Sequence, residues 1–156
     1  MGDETMLLPA GTELRRTIRM ARRLNAPPER VSRAWSDPEE LARWLPDQVE
    51  GALAEDARTV LVWRDRRVWW DVIEATAGRA FAFRRPWLAD ESVVTTVRVT
   101  ITPSGYGTRL RLEDGPFLLD QPGGIDAWAE ALQAWSEAIA MLRAYLDFSV
   151  DIRPRQ

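Results

Sequence analysis

Residues 125–146, IDAWAEALQAWSEAIAMLRAYL, decide how the rest of the chain is read. Ile125, Trp128, Leu132, Trp135, Ile139, Leu142 and Leu146 recur at spacings of three and four, the period of one helix face. Glu130, Gln133, Glu137 and Arg143 take the other faces. Such a stripe suits a coiled-coil seam or a helix packed inside its own domain. Two Trp at seam positions crowd a tight two-stranded coil. The spacing therefore predicts one long helix laid on a concave sheet of the same chain.

The segments upstream supply that sheet. Leu14 to Leu24 alternates, with Leu14, Ile18, Met20 and Leu24 on one face and Arg15, Thr17, Arg19 and Arg23 on the other. Val49–Leu53, Thr59–Arg64, Val68–Ala75, Ala80–Arg84, Val93–Thr102 and Thr108–Glu113 are short, β-branched or aromatic, and separated by turns. Connections this short make antiparallel neighbours rather than parallel crossovers. Between the first two strands, Pro28 opens a short helix to Trp35, and Asp37-Pro38-Glu39-Glu40 opens another with Asp as its cap. The expected fold is α+β: a curved, seven-stranded antiparallel sheet around a long C-terminal helix, with two short helices after the first strand. Residues 1–12 and 149–156 are expected as tails on a single domain, 13–148.

Composition narrows the chemistry. The chain has 156 residues, a net charge of -3, no His and no Cys, and all 21 basic residues are Arg. Disulfides, thiol nucleophiles, Cys/His zinc sites, Ser-His-Asp triads and Lys Schiff bases are excluded. No metal or cofactor is expected. The acidic balance, pI about 5.1, gives no global field for nucleic acid. The string Arg15, Arg16, Arg19, Arg22 and Arg23 is split between strand faces and lacks a stacking platform. No run of 18 apolar residues predicts a membrane span. The acidic start lacks the form of a signal peptide, so cytoplasmic residence is the expectation. Exclusive use of Arg, with abundant Ala, suggests a G+C-rich bacterial genome.

Four stretches in order resemble one family. Ala26-Pro27-Pro28-Glu29-Arg30-Val31 through Asp37-Pro38-Glu39-Glu40-Leu41-Ala42-Arg43-Trp44 is similar to its opening "AP-x-x-V…(T/S)DP-x-x-L-x-x-W". Val72-Ile73-Glu74-Ala75 through Phe81-Ala82-Phe83 is similar to its "V-L-E-V…L-V-F" hairpin. Thr102 to Leu112 resembles its "P-x-x-x-GT-R-L-x-L" turn and strand, and Ala127-Trp128 with Leu132 and Leu146 its "G-W…L…L" helix. The chain thus resembles the START-like (SRPBCC) superfamily and, within it, the family of the activator of heat-shock-protein-90 ATPase, over about residues 14–148. The resemblance implies the helix-grip fold and a cavity between sheet and helix. Trp70 and Ala127 stand where the family often has Gly, and the bulky ring of Trp70 should alter the shape of that cavity.

The candidate cavity residues are Trp44, Trp70, Phe81, Phe83, Trp128, Leu132, Trp135, Arg22 and Glu74. Eight Trp in one small domain are read either as filled core or as cavity walls. Arg22 falls on the apolar face of the first strand. It is read as ion-paired or reaching the rim, or alternatively as an anchor for a ligand carboxylate or phenolate. Glu74 and Asp71 are of ambiguous facing; an inward one, or Tyr145, would supply an acid or base. Tyr106 is read as a loop-tip ring. The expected function is binding or sequestration of a small hydrophobic, aromatic molecule, with transport or natural-product resistance as roles. The alternatives are a polyketide cyclase/aromatase-like enzyme and a co-chaperone-like protein-interaction module. No nucleic acid and no membrane insertion are expected.

Overall fold

The computed structural model describes residues 14–87 and 90–154; the expected N-terminal tail lies outside them. Among the described residues the order is β1 (Arg15–Leu24), α1 (Pro28–Ser36), α2 (Pro38–Leu41), β2 (Gln48–Glu50), β3 (Arg58–Val62), β4 (Arg67–Thr76), β5 (Ala80–Pro86), β6 (Val94–Ser104), β7 (Gly107–Leu118) and α3 (Gly124–Phe148). The strands form one antiparallel sheet in the order β1-β7-β6-β5-β4-β3-β2. This is the helix-grip arrangement that the sequence pattern predicts.

Alternation explains the two faces. Val97, Val99 and Ile101 of β6, Leu110 and Leu112 of β7, and Phe81 and Phe83 of β5 are buried on the concave side. The convex side carries a lattice of Arg–carboxylate pairs: Arg19–Glu113, Arg98–Glu74, Arg58–Asp71 and Arg67–Glu50. Four of the 21 Arg are thereby placed in ion pairs on the solvated sheet face.

The two short helices plug one end. Pro28 stands at the start of α1, and Asp37 caps α2 by accepting from the Glu39 amide at 3.0 Å. Trp35 and Trp44 meet edge to face at 5.0 Å, and Trp44 Nε1 donates to the Ala34 carbonyl at 2.9 Å. Its polar atom is thus satisfied inside the core.

The position of α3 is set at its start. A Cβ on Gly124 would come within 2.0 Å of the Leu118 carbonyl oxygen, so only glycine lets the helix begin this close to the end of β7. Along α3 the inward face is Ala131, Trp135, Ala138, Ile139 and Leu142. Two members of the predicted stripe are corrected: Ile125 is 60% exposed and Leu132 39%. The inward face is shifted toward Ala131 and Ala138, which leaves Leu132 at its edge. Residues 149–154, expected as a loose tail, are tethered. Arg153 Nη1 donates to the carbonyls of Ala42 (2.9 Å) and Pro46 (2.7 Å).

Candidate functional site: a hollow between helix and sheet

A hollow of about 1080 Å³ opens between α3 and the β3–β5 side of the concave face. Trp63, Trp70, Trp87, Phe117 and Trp135 supply its rings, and Ala127, Ala131, Ala134 and Ala138 its helix side. Alanine is the residue that leaves room here while keeping helix propensity high. The C-terminal residues 151–154 form part of its lining.

Of the sequence candidates, Trp70 and Trp135 line the hollow. Phe81 and Phe83 are buried beneath it; Phe83 stacks on Trp70 at 3.8 Å and 14°. Trp44 belongs to the core plug described above. Trp128 is half-buried against the core and Leu132 is exposed, and neither reaches the lining. Arg22 is paired in register with Leu110 but lies on an edge strand, where its guanidinium reaches water. Glu74 lies on the convex face, 2.5 Å from Arg98 Nη1. The hydrogen bond from Arg98, and that from Thr76, hold its carboxyl below the ordinary range against a small burial effect. Asp71 is held down likewise, by Arg58. Tyr145 faces another side of α3, where it bonds Glu40 and accepts from Arg30 Nη2 at 3.2 Å.

The polar centre of the hollow was missed by sequence reasoning. Arg85 lines it, with its side chain only 13% exposed. Its Nε and Nη2 donate to Asp114 Oδ2 at 3.1 and 2.5 Å, and Trp135 Nε1 donates to the same oxygen at 2.8 Å. Asp114 is fully buried. The guanidinium lies 6.0 Å from the ring centroids of both Phe117 and Trp135. A signal for both residues existed. The inward alternation Phe81, Phe83 continues to Arg85, and Leu110, Leu112 continues to Asp114. The predicted strands end at Arg84 and Glu113, each one residue before its inward polar side chain, whereas the observed strands run on to Pro86 and Leu118.

The mouth is charged. Arg153 pairs with Asp151 at 2.7 Å, and Arg66 lies 3.9 Å from Asp65 and over the Trp63 ring at 4.5 Å. The other charges on the lining, Arg85 aside, are Asp47, Glu130 and Glu137 against Arg64.

The sequence matches the family described as Activator of Hsp90 ATPase homolog 1-like protein over residues 25–147. The chain belongs to this family. No curated protein matches it. Among solved structures it is similar to protein MLL2253 from Mesorhizobium loti, at 23% identity and TM-score 0.74, covering 84% of this chain and 96% of that one. It is similar to DynU16, described as a protein in the dynemicin biosynthetic locus, at 22% identity and TM-score 0.76, over 88% of this chain and 49% of that one. The Aha1 dimer from Colwellia psychrerythraea matches at 15% identity and TM-score 0.75, over 85% of this chain and 97% of that one. At these identities the likeness is one of fold. Among the described residues, no helix of this family member is long and apolar enough to cross a membrane.

Proposed function

We propose that the protein encloses a small hydrophobic, aromatic molecule in the hollow between α3 and the sheet. The observation that carries this reading is the hollow itself, about 1080 Å³ with five aromatic rings along its lining. Pockets for drug-sized molecules run about 300–1,000 Å³ and are mostly apolar with a few placed polar groups. Enclosure would remove ligand surface from water at about 25 cal/mol per Å². The role proposed is sequestration, transport or natural-product resistance in the bacterial cytoplasm; the biosynthetic locus of DynU16 supports a role of this kind.

The test is calorimetric titration with a panel of apolar aromatic compounds, alongside Trp emission. Saturable binding at one site per chain is expected. Ala134→Phe, which fills the helix side of the hollow, should weaken it by about tenfold or more and leave the unfolding midpoint unchanged. A panel without any saturable binder rejects the reading.

Binding without turnover is preferred over a cyclase-like activity. An acid or base must reach the ligand to act; the candidates Asp71, Glu74 and Tyr145 all lie outside the lining, and the carboxylates that are on it, such as Asp47, Glu130 and Glu137, are given no place in such a reaction by the sequence pattern. Turnover of a poly-β-keto substrate would reverse this preference. The co-chaperone alternative is removed if the purified chaperone hydrolyses ATP at the same rate with and without the protein.

A further inference from the structure

We infer that the hollow selects uncharged aromatic molecules bearing a carbonyl-type acceptor, and discriminates against their carboxylates. This rests on the ligand-binding reading above and deepens it. A guanidinium in an aromatic hollow ordinarily suggests an anchor for an anionic ligand. Here that charge is already matched. Asp114 is completely buried behind Arg85 and takes both Nε and Nη2 on one oxygen. The pair is neutral as a unit, so an incoming carboxylate would meet no uncompensated cation.

One donor edge is left under-used. Arg85 Nη1 makes only a long 3.4 Å contact, to the carbonyl of the adjacent Pro86. Arg85 lines the hollow, and Nη1 is the guanidinium nitrogen not committed to Asp114. A ketone or quinone oxygen fits that edge, and the hydrogen bond to a charged donor should tighten binding by roughly tenfold. The mouth reinforces the choice. With the Arg153–Asp151 and Arg66–Asp65 pairs set aside, Asp47, Glu130 and Glu137 outnumber Arg64. This acidic surplus opposes the approach of an anion. Nor does it favour a cation deep inside, because Arg85 itself occupies the faces of Phe117 and Trp135.

The experiment compares four probes sharing one ring system on the unaltered protein: naphthalene, 2-acetylnaphthalene, 2-naphthoate and 2-naphthylmethylammonium. 2-Acetylnaphthalene should bind about tenfold more tightly than naphthalene, and both charged probes more weakly than 2-acetylnaphthalene. In the double variant Arg85→Met/Asp114→Leu, which removes the donor and keeps the site neutral, the ketone's advantage should vanish while naphthalene still binds. Tightest binding by 2-naphthoate would establish an anion anchor and overturn the inference. Tightest binding by the ammonium probe, or equal binding of ketone and hydrocarbon, would overturn it too. If none of the four binds, the ligand-binding reading falls along with it. The ranking on the unaltered protein decides the matter even if the double variant does not fold.

Discussion

The indole Nε1 of Trp135 donates to Asp114 Oδ2 at 2.8 Å, and this bond ties the long helix to the last strand at the fully buried carboxylate that also holds Arg85. One side-chain oxygen therefore joins α3, β5 and β7. The three elements meet at the inner end of the hollow, so helix position and hollow shape depend on the same group.

Removing that group should be costly. Asp114→Ala leaves Arg85 buried without its partner, and breaking a buried ion pair from one side costs about 3–5 kcal/mol. Trp135→Phe keeps an aromatic ring but loses the N–H donor and part of the buried indole volume, for about 1.5–3 kcal/mol or more. Arg85→Met/Asp114→Leu should recover most of the loss, because an apolar pair of similar volume needs no partner. Urea unfolding of the three variants checks this. A double variant as unstable as Asp114→Ala would contradict it.

Glu40 predicts a pH dependence. Burial raises its pKa, but the hydrogen bonds from Tyr145 and Arg30 and the Arg30 charge outweigh it, leaving the carboxyl below its ordinary value. A depressed folded-state pKa stabilises the protein above the unfolded value of about 4.3, and that stability is lost as pH falls through the folded pKa. The stability gap between the protein and Glu40→Gln should therefore be full near about pH 6 and close below about pH 4. Tyr145→Phe should narrow the gap measured near about pH 6. A gap that widens on acidification would refute the assignment.

The rotation of α3 has a direct test. Leu142 is fully buried, so Leu142→Ala should cost about 2–5 kcal/mol. Leu132 is 39% exposed, and Leu132→Ala should cost under about 1 kcal/mol. Equal losses in thermal or urea unfolding would mean that the helix sits as its Leu–Trp periodicity predicts.

Polar contacts of Arg153 help to hold the C-terminal residues. Arg153 reaches the Ala42 and Pro46 carbonyls and binds Asp151 through Nε and Nη2, while Val150 and Ile152 stay about half exposed. Arg153→Ala should raise amide exchange in residues 149–153 by about tenfold and leave β5–β7 protection unchanged, as local opening allows. Unchanged exchange throughout would show that the tether contributes nothing.

Much of the fold was legible because its signals are local. The Asp37-Pro38 cap, the alternation of β6 and the turn at Ser104-Gly105 each depend on a few adjacent residues. The site was less legible, and particular residues show why. The predicted strands end at Arg84 and Glu113, whereas the paired strands run on to Pro86 and Leu118. Arg85 and Asp114 therefore fall outside the predicted strands although both follow the inward alternation. Trp63 and Trp87 sit near strand ends, where a sequence carries no mark of which ring faces a hollow.

Periodicity and turn chemistry, written in neighbouring residues, sufficed to determine a curved antiparallel sheet, two capped short helices and a long terminal helix. They placed Trp135, Ile139 and Leu142 on the buried face of α3 but did not determine its edges: Ile125 and Leu132 stay exposed, while Ala131 and Ala138 take inward places. Nor did they determine the hollow. Its walls come from β4, β5, β7, the loops beside them, α3 and the last residues together, and its central ion pair joins positions 29 apart in the chain. Contacts between distant segments exist only once the backbone has brought them together, and those contacts, rather than any local pattern, decided what the interior can hold.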